Sequence, residues 1–112
     1  MSHGQAGNEH LSRREHDKAA AAFRRALVDD PNDLEAREGL ARALVALGDA
    51  KGALDELNRV LSLDPRRASA ERIRSEAFMS LGRFEDGVYH QKRAMELDAD
   101  GPPTNHPGRR EA

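Results

Sequence analysis

Apolar residues recur at spacings of three and four through most of the chain. Leu40, Leu44 and Leu47 form one such row, and Leu54, Leu57 and Leu61 form another. This is the period of a helix that buries one face. Small residues lie between the rows, among them Ala41 and Ala53, and they let neighbouring helices approach closely. The pattern is interrupted at Pro31, Gly48, Pro65 and Gly82. A proline cannot continue the preceding helix, and a glycine suits the left-handed residue that ends one. The spacing predicts six helices, near residues 3–13, 16–29, 33–47, 50–62, 67–81 and 84–97. Asn32 and Glu35 form a capping pair for the third. Beyond Asp98 the period is lost, and Gly101-Pro102-Pro103, Pro107-Gly108 and Arg109-Arg110 predict a disordered tail over 102–112.

The pattern also repeats. Ala19, Ala53 and Gly87 are 34 residues apart, as are Ala26, Val60 and Ala94, and Leu27, Leu61 and Met95. Pro31 and Pro65 keep the same interval. A 34-residue period with small and large residues at constant offsets marks a helix–turn–helix repeat. The chain resembles the tetratricopeptide repeat (TPR) family. Its middle repeat carries the pattern most fully, in Leu40-Ala41, Leu44, Leu47-Gly48-Asp49, Ala53, Leu57, Val60 and Pro65, with Arg37 where the family has a large residue. The first repeat keeps Ala6-Gly7, Ala19, Phe23, Ala26 and Pro31. The third keeps Phe78, Leu81-Gly82, Phe84, Ala94 and Leu97, and departs at Glu71, Arg74-Ser75, Gly87 and Gln91. The resemblance implies an all-α fold, a right-handed superhelical stack of three helix–turn–helix units. The repeats run about 1–33, 34–67 and 68–101, and together make one domain over 1–101. The polar residues Glu71, Arg74, Gln91 and Lys92 are expected to keep the last face wet.

Composition narrows the function. The 112 residues suffice for one domain. The absence of cysteine excludes disulfides, thiolate metal ligands and thiol nucleophiles. A net charge of −2 on a chain that is 34% charged gives no electrostatic footprint for nucleic acid. The pairs Arg13-Arg14, Arg24-Arg25 and Arg66-Arg67 are interleaved with acids and lack stacking aromatics. No apolar run reaches the roughly 20 residues of a membrane helix, and the first residues do not read as a secretory signal, so the cytoplasm is the expected compartment.

Five histidines, including His3, His10, His16 and His90, lack the i,i+3 or i,i+4 spacing of helix-borne ligands, so no metal and no cofactor is expected. The serines stand in no Gly-x-Ser-x-Gly turn, and there is no phosphate-binding glycine loop. The chain therefore reads as a non-enzyme whose partner is another protein.

The resemblance implies a concave groove lined by the first helix of each repeat. Its lining would be Asn8, Leu11 and Ser12, then Glu35, Glu38, Arg42 and Val45, then Ser69, Arg72, Glu76 and Met79. Charged groups flanking a few apolar ones suit a peptide or partner helix of mixed charge. The plainer reading makes Glu38–Arg42 and Arg72–Glu76 i,i+4 pairs on solvated helix faces. Relatives that grip a chaperone's C-terminal carboxylate do so with Lys, Asn and Arg; here Asn8 matches, while Gly4, Gly39, Ser69 and Ile73 occupy the other slots. A second expectation is a structural subunit or homo-oligomer that uses the third repeat. Val88, Tyr89, Met95 and Phe84 are its contact candidates; the plainer reading, preferred for Phe84 and Met95, puts them in the core of the last helix pair.

Overall fold

The computed structural model describes residues 1–100; the tail expected over 102–112 lies outside the described residues. Six helices follow one another: α1 (His3–Ser12), α2 (His16–Asp29), α3 (Leu34–Ala46), α4 (Ala50–Leu63), α5 (Ala68–Ser80) and α6 (Phe84–Asp100). No strand occurs among the described residues. Each helix matches an expected one, but α6 runs three residues further than its pattern indicated. Asp98 therefore lies inside the helix, and it pairs with Arg72 of α5.

The helix ends have local causes. Ser2 and Gln5 form a reciprocal capping box at the head of α1. Asp33 caps α3 by accepting from the Ala36 N–H, and Asp49 caps α4 by accepting from the Gly52 N–H. The expected Asn32–Glu35 cap is thus displaced by one residue: the Asn32 N–H donates instead to Asp30 in the preceding turn. Gly48 and Gly82 take φ of 89° and 77° after α3 and α5, a conformation that costs a side-chain-bearing residue energy.

The helices pair as hairpins, α1 with α2, α3 with α4 and α5 with α6, and each hairpin leans on the next. The first helices also touch across repeats, α1 with α3 and α3 with α5, whereas the second helices do not touch each other among the described residues. The first helices therefore form an inner row and the second helices an outer, splayed one. This arrangement gives the stack its concave side.

The core follows the small-and-large alternation. Phe23 of α2 is 1% exposed and enters a slot between α1 and α3. The slot exists because Gly7 and Gly39 line it: a Cβ on either would stand 2.7 Å or 2.3 Å from the Phe23 ring. Ala19, Ala41 and Ala53 are fully buried at the close contacts, and Leu57, Val60 and Ile73 fill the second and third layers.

Two departures from the family pattern turn out to be buried polar pairs. Arg37, at the large-residue position, is 8% exposed. Its Nη1 donates to Glu56 Oε1 at 2.6 Å, and its Nη2 donates to the Pro31 carbonyl at 2.6 Å. One repeat later, Glu71 holds the same place at 3% exposure, with His90 Nδ1 at 2.7 Å and Arg93 Nε at 3.7 Å. The expectation that Glu71 wets the last face is corrected: it points inward, between α5 and α6. Arg74 likewise reaches Asn58 of α4, so only Gln91 and Lys92 of that set are exposed.

The expectation for Phe84 and Met95 is also corrected. They are 63% and 61% exposed rather than core. The small residues Gly87 and Ala94 face α5 instead, and Gly87 sits against Met79. Ser75 Oγ donates to the Gly87 carbonyl at 2.7 Å and seals this joint.

Two substitutions test this packing. Gly39→Ala gains up to ~1 kcal/mol of helix propensity but overpacks Phe23, which costs about 1–3 kcal/mol. Urea unfolding should show net destabilisation, and a Phe23→Leu background should reduce it. Arg37→Ala leaves half-buried Glu56 without its partner and should cost about 1.5–3 kcal/mol. The Arg37→Met, Glu56→Leu pair should recover part of that loss in the same assay, since no charge is left unpaired, although the Pro31 carbonyl still loses its donor.

Candidate functional site

The concave side is built by α1, α3 and α5. Between α1 and α3 lies a depression of about 220 Å³ lined by Asn8, Leu11, Glu35, Glu38, Gly39 and Arg42. Asn8 and Glu35 also line a second one, of about 160 Å³, that continues toward Ser2, Gly4, Gln5, Asp33 and Ala36 and has Phe23 at its base. The two form one groove along the seam of the first and second repeats. Helical geometry explains the lining. Glu35, Glu38, Arg42 and Val45 recur at three and four residues along α3, and Asn8 and Leu11 keep the same spacing on α1.

The side chains differ in freedom. Asn8, Glu35 and Arg42 are exposed, while Leu11 and Val45 are half-buried and pack against the core. Glu38 is 8% exposed and turned inward, accepting from Arg67 Nε at 2.9 Å and Ser69 Oγ at 2.7 Å. It therefore joins α3 to the head of α5 and does not pair with Arg42. Burial works against the charge on Arg67, but Glu38, with help from Asp64 and Glu35, outweighs it and raises the guanidinium pKa above its ordinary value.

The expected lining on α5 is distributed differently. Arg72 pairs with Asp98 of α6, not with Glu76. Glu76 is exposed, and Met79 lies on Gly87. The structure thus brings Asn8, Leu11, Glu35, Glu38 and Arg42 together and holds Arg72 and Met79 against α6. Tyr89 and Val88 are 62% and 46% exposed on α6, far along the chain from this groove. Of the carboxylate-clamp slots, Ile73 is fully buried and Gly39 faces Phe23, so neither offers a donor side chain.

Sequence reasoning missed Gly39 in this lining. Its signal was a glycine inside a helix, which weakens the helix and so marks a close approach. It also missed a shallow depression of about 350 Å³ at the hairpin turns, lined by Arg14, Glu15, His16, Asp17, Lys18 and Leu47. There His10 Nδ1 lies 2.7 Å from Glu15 Oε1. That hydrogen bond is the main cause holding the Glu15 carboxyl below its usual 4.5; Lys18, His10 and Arg13 reinforce it and partial desolvation opposes it. No three His, Asp or Glu side chains converge as a metal ion requires among the described residues.

With this geometry the chain compares as follows. Residues 7–77 match the tetratricopeptide repeat family. The small glutamine-rich tetratricopeptide repeat-containing protein 2 of Mycosarcoma maydis is 25% identical over 92 residues, which are 82% of this chain and 26% of that protein. The chain thus spans about a quarter of its curated relative. A MamA MSR-1 structure superposes with a TM-score of 0.76 at 25% identity, covering 86% of this chain and 55% of that one. The first TPR domain of Spaghetti (RPAP3), bound to the HSP90 peptide SRMEEVD, superposes at 0.79 with 20% identity, covering 88% and 79%.

The Glu15 pair has a definite pH signature. Because its folded pKa is lowered, its contribution is present above the unfolded value of 4.5 and is lost as pH falls through the folded one. Glu15→Gln should therefore lower the melting temperature at neutral pH, with the gap to wild type closing as pH drops below 4.5. A gap that stays constant across that range would remove the ionised pair from the account.

Proposed function

The chain belongs to the tetratricopeptide repeat family, and on that premise we propose that it is a non-catalytic adaptor or scaffold that holds a peptide or helix of a partner protein in its concave groove. The observation that carries this reading is the groove between α1 and α3. Exposed Asn8, Glu35 and Arg42 surround half-buried Leu11 there, over a floor thinned by Gly39. An amide, a carboxylate and a guanidinium around an apolar strip can orient a segment that carries both signs of charge and buries one or two apolar side chains.

The Spaghetti domain holds a peptide on a similar fold, which supports peptide recognition in general. The ligand here differs in kind. Without cationic donors at Gly39 and Ile73, the groove favours an internal segment of mixed charge over a C-terminal carboxylate. In this reading residues 1–101 act as one interaction domain in the cytoplasm, with 102–112 as an appended tail. No bond is made or broken, and no cofactor, nucleic acid or membrane takes part.

Selection from a displayed random-peptide library tests the proposal. Wild-type protein should enrich peptides with an apolar residue flanked by opposite charges. An Asn8→Ala, Glu35→Ala, Arg42→Ala variant should lose at least about tenfold in affinity for them while keeping its helicity, because all three side chains are exposed. Peptides that bind wild type and variant equally would move the site elsewhere.

A further inference from the structure

Every second helix in this stack carries a stripe that the next repeat covers, except the last described one. On α2 the stripe includes Ala20 and Phe23, 2% and 1% exposed, and on α4 it includes Ala50 and Leu57, 3% and 0% exposed. Helix α3 lies on the first and α5 on the second. Counting 34 residues on from Ala50, Leu54, Leu57 and Leu61 gives Phe84, Val88, Gln91 and Met95 of α6. These follow i, i+4, i+7 and i+11 spacing and so share one face. Phe84, Val88 and Met95 are 63%, 46% and 61% exposed, and α6 packs on α5 alone among the described elements. Three large apolar side chains aligned on one exposed helix face are a docking surface rather than scattered surface residues.

We propose that this face binds α6 of a second copy of the chain, antiparallel, in a two-fold symmetric dimer. Two observations select that occupant. The first concerns the opposite end of the stack. Where α3 presents Ala36, Gly39 and Ala43 to its neighbour, and α5 presents Ala70, Ile73 and Ala77, the first repeat has Ser2, Gln5 and Glu9. That end is polar, and Ser2 and Gln5 are engaged in the capping box, so a second copy does not extend the stack head to tail. A symmetric pairing instead sets apolar stripe against apolar stripe. The second concerns charge. Glu85 and Lys92, both exposed, lie on one flank of the stripe two turns apart. Antiparallel pairing brings Glu85 of each copy to Lys92 of the other and forms the attraction twice. Gln91 sits mid-stripe, where earlier repeats have Phe23 and Leu57. The register that joins Glu85 to Lys92 puts Val88 nearest the two-fold axis, where it packs on its own counterpart.

This inference goes beyond the groove reading and does not depend on it, since the dimer face and the groove share no residue. Sedimentation equilibrium of the full chain, from low micromolar to millimolar, should show reversible association to a mass of two chains. Phe84→Asp should raise the dimer dissociation constant about tenfold or more without loss of helicity, because Phe84 is exposed. The charge pair fixes the orientation. Glu85→Lys alone and Lys92→Glu alone should each dimerise more weakly than wild type. Mixing the two should yield a heterodimer that is tighter than either homodimer. A monomer at every concentration overturns the proposal, as does a dimer indifferent to Phe84→Asp or a mixture with no heterodimer preference.

Discussion

The fold depends on one constraint: the outer helix of each hairpin buries its apolar stripe only when the inner helix of the next hairpin lies on it. No hairpin closes its own core. Phe23 shows how tight that dependence is. Its ring is 1% exposed because Gly7 and Gly39 bring α1 and α3 close on either side. Leu57 and Ile73 repeat the arrangement one layer on. Stability in such a stack is nearly a sum over neighbouring layers. Whatever holds one layer to the next therefore determines both the curvature of the inner row and the fate of the last outer stripe.

Polar groups supply part of that connection. Arg37 with Glu56 and Glu71 with His90 occupy the same pair of positions in successive repeats, with the acid on the outer helix in the first and on the inner helix in the second. Each pair joins an inner helix to its own outer helix, at a place where the family has a large apolar residue. Buried pairs of this kind add little net stability over a well-packed apolar core, yet removing one partner is costly, so they enforce register. The Glu38 contact with Arg67 and Ser69 works between repeats instead. It also shapes the groove's electrostatics. With Glu38 occupied internally, Asn8, Glu35 and Arg42 are the exposed polar side chains of the groove.

The two surfaces of the molecule differ in kind for the same reason. The groove is lined by the inner row, where layers already touch and only shallow relief remains, so its chemistry is polar with a narrow apolar strip. The end of the stack exposes an outer stripe that elsewhere in the chain is covered. Its chemistry is that of an interior layer.

The period of apolar residues and the proline and glycine breaks were enough to place six helices, and the 34-residue register to pair them as hairpins, because those features depend on spacing along the chain; the inner row came from the family resemblance. Spacing also fixes which residues share a helix face, as Glu35, Glu38 and Arg42 do on α3. Partnership was not legible. Glu71 reads as a surface acid until α6 brings His90 over it, and Arg72 reads as a groove cation until Asp98 takes it. Phe84 and Met95 read as core because they are large and apolar, yet they lie on the side of α6 that only another helix could cover. Sequence by itself determined the order of the helices and which residues share a face of each. Only the tertiary structure decided which of those faces meets a neighbour, because burial and ion pairing depend on distances between helices that no spacing within one of them sets.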